Sequence, residues 1–206
     1  MRRKRNLIPR FEKCASLLID EPSLMRGRWR SEFGRDELHV ELGCGKGRFA
    51  TETAKACPGA LIAAFEKSAN VILSALELAV SEELQNVRFI NAFADDLRKY
   101  FERGEVSRIY LNFCDPWPSN RHEKRRLTHR AFFEAYKEVL TDEGEIRFKT
   151  DNAALFEFSL REAEESDFEV LDLSRDIHKD GIVGIMTEYE QKFHNQGLPI
   201  CSARFK

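Results

Sequence analysis

From residue 37 onward, short apolar runs alternate with longer stretches in which apolar residues recur every three or four positions. The runs 37–42 (ELHVEL), 60–66 (ALIAAFE), 86–92 (NVRFINA), 106–114 (VSRIYLNFC), 145–150 and 168–173 are predicted strands. The stretches 48–57, 69–84, 129–140 and 152–166 are predicted helices, with a short one at 94–101. Pro58-Gly59 stops the first helix, and Thr128 is expected to cap the helix that follows it. ALIAAFE is apolar almost throughout, as a parallel strand covered on both faces must be. Near the end, TEYEQKF (187–193) and ICSARFK (200–206) read as two strands joined by a turn over 195–199. The alternation predicts an α/β fold: an open, mostly parallel sheet with helices on both faces and an antiparallel C-terminal edge hairpin.

The first 35 residues lack this pattern. Arg2, Arg3, Lys4, Arg5, Arg10, Lys13, Arg26, Arg28, Arg30 and Arg35 surround short apolar patches. Residues 1–35 are therefore expected to be a basic, extended, partly disordered arm that can fold over a polyanion on binding, and 36–206 a single domain.

Charge changes the picture only locally. Across 206 residues, 33 Lys and Arg nearly balance 35 Asp and Glu, so any affinity for a polyanion has to come from clusters. No apolar run approaches the roughly 18 residues of a membrane span, and the basic start lacks the apolar stretch of a secretory signal. A cytoplasmic protein is expected. The five cysteines are scattered without a C-x-x-C pair, and the histidines lack an H-E-x-x-H spacing. This predicts reduced thiols and no metal site.

Candidate chemistry begins at HVELGCGKGRF. Gly43, Gly45 and Gly47 stand between the first strand and the first helix, where a backbone free of Cβ atoms can approach a ligand. The spacing G-x-G-x-G is neither the dinucleotide fingerprint nor a P-loop. Glu66 ends the second strand roughly 20 residues on, where a carboxylate accepts ribose hydroxyls. Glu41, beside the loop, would repel a pyrophosphate but suits an ammonium or sulfonium. That favours S-adenosylmethionine over a nicotinamide dinucleotide. ELGCGKG resembles the first motif of the S-adenosylmethionine-dependent methyltransferases, which share a Rossmann-like fold. The resemblance implies that Asn91 and the backbone at Ala92 meet the adenine edge and that Phe93 stacks on it.

The fourth strand ends in DPWPSNRHEKRRL, an acid between stiffening prolines and a basic stretch. Asp115 falls at the strand's carboxyl end, beside the glycine loop in a fold of this type. Arg121, His122, Lys124, Arg125 and Arg126 form a candidate phosphate-binding surface, with RNA expected rather than DNA. Together with ELGCGKG, RFKTDN and TEYEQKF, and in that order from about residue 36 to the end, this segment resembles the bacterial tRNA (guanine-N7)-methyltransferases. The resemblance implies methyl transfer from S-adenosylmethionine to a guanosine N7 of tRNA, in the variable loop. It assigns Glu41, Gly43, Gly45, Glu66, Asn91, Phe93 and Asp115 to the donor, with Asp115 also catalytic. It assigns Ser119, Asp151, Thr187, Glu188, Tyr189 and Glu190 to the substrate base. The chain departs from the family pattern at Ser119, usually lysine, and at Phe93, commonly an acid. Two alternatives stay open from sequence: a small-molecule methyltransferase, and a catalytically silent RNA-binding protein of the same fold.

Overall fold

Ala60–Phe65 is apolar at every position, and all six residues are buried in the computed structural model, which describes residues 6–206. This is β2 of a seven-stranded sheet. The others are β1 (Glu37–Leu42), β3 (Val87–Ile90), β4 (Val106–Asn112), β5 (Leu140–Thr150), β6 (Val170–Ser174) and β7 (Cys201–Phe205). Their spatial order is β3-β2-β1-β4-β5-β7-β6. Strands β1 to β5 are parallel, and β7 runs antiparallel between β5 and β6. The helices are α1 (Leu7–Glu12), α2 (Trp29–Phe33), α3 (Arg48–Ala56), α4 (Ala69–Ser81), α5 (Arg130–Val139), α6 (Ala153–Glu164) and α7 (Glu188–Asn195).

Each face of the sheet has its own core. Ile62, Ile72, Leu76 and Phe89 are buried between β2, β3 and α4 on one side. Phe133, Tyr136, Phe148, Phe156 and Phe205 fill the other, under α5 and α6. The strand order reverses between β1 and β4, which are paired through Glu41 and Tyr110. An open α/β sheet leaves its ligand crevice at such a reversal, outside the carboxyl ends of the strands. The glycine loop and the DPWP corner both leave the sheet at that edge.

Three local expectations are corrected. TEYEQKF is not a strand: Thr187 caps helix α7, accepting a hydrogen bond from the Glu190 N–H at 2.9 Å, while the Glu190 carboxylate accepts from the Thr187 N–H at 3.1 Å. This capping box outweighs the brief polar–apolar alternation of the segment. The antiparallel edge is instead supplied by β6 and β7. Secondly, His129 and not Thr128 caps α5; Thr128 is buried and its hydroxyl accepts from Ser159 at 2.7 Å.

Thirdly, residues 6–35 are folded onto the core. Leu17 and Trp29 are buried, and the Trp29 indole N–H donates to the Tyr100 carbonyl at 2.9 Å. The buried carboxylate of Glu105 accepts the backbone N–H groups of Gly27, Trp29 and Glu102. Arg10 forms two hydrogen bonds with Glu77 on α4, at 2.6 Å each. These apolar anchors are isolated in sequence and so carry no periodic signal. Arg2, Arg3, Lys4 and Arg5 lie outside the described residues.

Candidate active site

The loop between β1 and α3 turns on three glycines with positive φ: Gly43 at 82°, Gly45 at 59° and Gly47 at 85°. A Cβ at Gly47 would stand 2.5 Å from Ala75 Cβ, so this glycine lets α3 pack against α4. A Cβ at Gly43 or Gly45 would meet nothing within 4 Å, which makes this stretch an open cradle. The cradle opens on a cavity of about 400 Å³, whose walls include Glu41, Asn112 and Phe113. Glu41 is only 2 % exposed. Asn112 Nδ2 donates to its Oε1 at 3.2 Å, but the buried Oε2 has no hydrogen-bond partner. Burial lifts this carboxyl from its ordinary 4.5 to about 7, against the Asn112 hydrogen bond, which lowers it.

A second cavity of about 210 Å³ adjoins the first, sharing Gly43, Asn112 and Phe113 with it. Glu66, Phe93 and Asp115 line it, as do Lys67 and Trp117. Glu66 Oε1 accepts from the Ser68 N–H at 2.8 Å. Phe93 is 51 % exposed and stands on the wall. Asn91 is not part of this wall: its amide donates to the Glu66 carbonyl at 2.8 Å and ties the end of β3 to the end of β2. Lys67 Nζ lies 3.3 Å from Asp115 Oδ2, both side chains well exposed. Such a pair contributes roughly 0–1 kcal/mol to stability, so its consequence is local charge.

The corner around Asp115 is stiff for reasons beyond its prolines. Phe113 and Trp117 hold φ at 52° and 41°, left-handed values that cost a non-glycine residue about 1–3 kcal/mol each. Arg126 holds the strained turn. Its guanidinium donates to the Pro116 and Trp117 carbonyls at 3.0 Å each and lies 4.3 Å from the centre of the Phe158 ring. Arg126 is buried, so this member of the expected RNA surface is an internal brace. Arg121, Lys124 and Arg125 are exposed, Arg125 with its guanidinium 5.0 Å from the centre of the Trp117 ring. His122 is half-buried, edge-on to the same ring at 5.8 Å. Burial pushes the neighbouring Cys114 thiol up to about 12, which keeps it protonated and unreactive at neutral pH.

On the far wall of the larger cavity stand Thr187, Glu188 and Tyr189, at the start of α7. Tyr189 stacks on Phe193 at 4.5 Å and meets Phe113 at 5.1 Å, an aromatic column at the cleft. Burial raises its phenol, and the Asp151 carboxylate adds to the effect. Glu190 does not reach the cleft. It is fully buried, and its Oε1 is 2.8 Å from both Lys149 Nζ and His178 Nε2. In this structure Glu190 anchors the start of α7. Ser119 and Asp151 are exposed and outside the cavity linings.

Sequence reasoning missed Asn112, Phe113 and Lys67. Asn112 was findable, as the last residue of the strand before the corner. Lys67 was adjacent to Glu66. Phe113 lines both cavities and holds a positive φ, which no pattern announces. Among the described residues, no group of three or more His, Cys, Asp or Glu side chains is placed to hold a metal, and no helix is long and apolar enough to cross a membrane.

The residues fit a sulfonium donor. Glu41, which lines the cradle's cavity, has a buried carboxylate oxygen without a hydrogen-bond partner, two glycines leave room for a ligand, and Glu66 stands at the end of β2. A pyrophosphate would meet Glu41 at once.

Comparison with known proteins gives the same direction. A family model described as "Putative methyltransferase" matches residues 35–203. A protein of a Geobacillus species named tRNA (guanine-N(7)-)-methyltransferase is 49 % identical over 191 residues, covering 92 % of this chain and 87 % of its own. A Bacillus cytotoxicus protein of the same name is 45 % identical over 208 residues, covering 100 % and 96 %. Among solved structures, an antibiotic-related methyltransferase superposes with a TM-score of 0.63 at 17 % identity, covering 85 % of this chain and 89 % of its own. A SAM-dependent methyltransferase from Aquifex aeolicus gives 0.56 at 14 % identity, covering 98 % of both. These two likenesses establish the fold; the sequence relatives establish more. With a matching model over most of its length and relatives this similar, the chain belongs to the tRNA (guanine-N7)-methyltransferase family.

Proposed function

We propose that this chain transfers a methyl group from S-adenosylmethionine to N7 of a guanosine in tRNA, with the variable loop as the site the family likeness favours. The observation that carries this reading is the shared wall of Gly43, Asn112 and Phe113, through which the glycine cradle and the Asp115 corner open on one cleft. Bound S-adenosylmethionine supplies an electrophilic methyl group on a sulfonium. Glu41, Gly43 and Gly45 would hold its amino-acid end, Glu66 its ribose, and the Ala92–Phe93 wall its adenine.

The remaining work belongs to the protein. Guanine N7 is a hydrogen-bond acceptor without a proton, so attack on the methyl group needs no general base. The purine gains positive charge as the bond forms, and a fixed carboxylate nearby lowers the barrier by electrostatic stabilisation. Asp115 has the position for that, on a corner locked by Arg126 and two prolines. Lys67 holds its carboxylate at the cleft wall and competes with the cationic product for it, which favours release. Tyr189 and Phe113 offer a ring surface for the base, Thr187 and Glu188 hydrogen-bonding groups at its edge, and Asp151 a carboxylate near enough to Tyr189 to act on its phenol. Ser119 sits where the chain leaves the corner. Arg121, Lys124 and Arg125 position the polyanion without reading its sequence.

The test is transfer of labelled methyl from S-adenosylmethionine to unmodified tRNA, followed by mapping of the modified base. Label at guanosine N7 is expected. Asp115→Ala should lower kcat about 100- to 1000-fold with tRNA affinity nearly unchanged. Normal turnover by that variant would remove Asp115 from the reaction.

A further inference from the structure

The functional reading places phosphate contacts at one end of the cleft, the exposed cations after the DPWP corner. The other end is cationic as well. Lys46 on the glycine loop, Arg48 at the start of α3 and Lys192 on α7 are all exposed and all line the mouth of the larger cavity. They surround a single exposed carboxylate, Glu188, whose Oε2 is 3.0 Å from Lys46 Nζ. Among the described residues, neither Arg48 nor Lys192 has an ion-pair partner. Folding does not account for this excess of positive charge. The Lys46–Glu188 pair is half or more exposed on both sides and worth at most about 1 kcal/mol.

Substrate geometry does account for it. A nucleotide that enters a cleft base-first leaves its strand lying across the mouth, with a phosphate on each side of the inserted base. A basic surface at one end alone would hold only one of these two flanks. Lys46, Arg48 and Lys192 line the larger cavity, and of Arg121, Lys124 and Arg125 the last lines the smaller one; the two cavities meet at Gly43, Asn112 and Phe113, where the base would enter.

We propose that Lys46, Arg48 and Lys192 form a second phosphate-binding lip, which grips the RNA strand on the flank of the target guanosine opposite Arg121–Arg125. Lys46 exchanges Glu188 for a phosphate as the RNA docks, and this frees the Glu188 carboxylate at the edge of the base. The inference rests on the functional reading above and names how that same cleft holds its substrate.

The experiment compares the unaltered chain with the Lys46→Gln/Arg48→Gln/Lys192→Gln variant. It measures tRNA Kd over a salt series, S-adenosylmethionine Kd by calorimetry, and methyl transfer by the unaltered chain in parallel. The variant is expected to bind tRNA on the order of tenfold more weakly at 0.1 M salt, with a log–log salt slope shallower by about two. Its donor affinity should stay within about twofold, since the lost contacts are to phosphates. An unchanged tRNA Kd and salt slope, alongside transfer by the unaltered chain, would overturn the second lip and leave the function standing. Weakened donor binding with unchanged tRNA binding would overturn it too, by assigning these cations to the donor. If the unaltered chain binds tRNA but transfers nothing to it, the functional reading falls first and takes this inference with it.

Discussion

At the scale of single residues, Glu41 is the most exacting feature of the cleft. Its carboxyl is buried, holds one hydrogen bond from Asn112, and titrates near 7 instead of 4.5. A raised acid binds its proton more tightly in the folded state than in the unfolded chain. Stability therefore falls as pH rises from about 4.5 to about 7, and stays lowered above that. The interval corresponds to about 3 kcal/mol for a fully buried group. Glu41→Gln removes this titration, so urea unfolding at pH 5 and pH 8 should show the decline in the wild-type chain and a flatter profile in the variant. A cationic donor reverses the balance, because it stabilises the ionised form. Donor affinity should then drop by up to about tenfold per pH unit below 7 in the wild-type chain, and much less in Glu41→Gln. Equal pH profiles for the two proteins would separate Glu41 from donor binding.

At the scale of elements, the start of α7 is held from below. Glu190 joins the capping box to Lys149 on β5 and to His178 in the preceding loop; Glu190 and His178 are buried and Lys149 is half-buried. Removing one partner of a buried ion pair is costly because the other charge stays behind. Lys149→Met should lower unfolding free energy by roughly 3–5 kcal/mol, and should also depress methyl transfer, since Thr187, Glu188 and Tyr189 hang from this anchor. A melt within 1 kcal/mol of wild type would mean that α7 is positioned by something else. This anchor also shows why legibility was uneven. β2 was plain because every one of its residues is apolar, and the glycine loop and the DPWP corner were plain because their chemistry is contiguous in sequence. The internal bonding of Glu190 has no signal in the sequence, because Lys149 is 41 residues away. Arg126 was read as one of a basic run, although its guanidinium turns back on the Pro116 and Trp117 carbonyls. In both cases a polar side chain is used internally, and only the fold reveals its partner.

At the scale of the whole molecule, the N-terminal segment is connected by ring contacts to the wall of the smaller cavity. Trp29 is fully buried, and its ring lies 5.5 Å from Phe101, which lies 6.1 Å from Phe65. Phe65 lines the smaller cavity beside Glu66 and Asp115. Two aromatic contacts thus connect a segment that looked like a loose basic arm to the wall behind the proposed ribose site. A detached arm would predict that shortening or altering it changes RNA affinity alone. A packed one predicts more. Trp29→Ala leaves a large hole among Phe33, Phe101 and the Tyr100 carbonyl, and should cost about 3–5 kcal/mol of stability. Because Phe101, which borders the hole, also packs against Phe65, donor Kd should rise in the fraction that remains folded, as read by calorimetry well below the midpoint of thermal unfolding. A variant with wild-type stability and wild-type donor binding would show that residues 6–35 lie on the domain without supporting it.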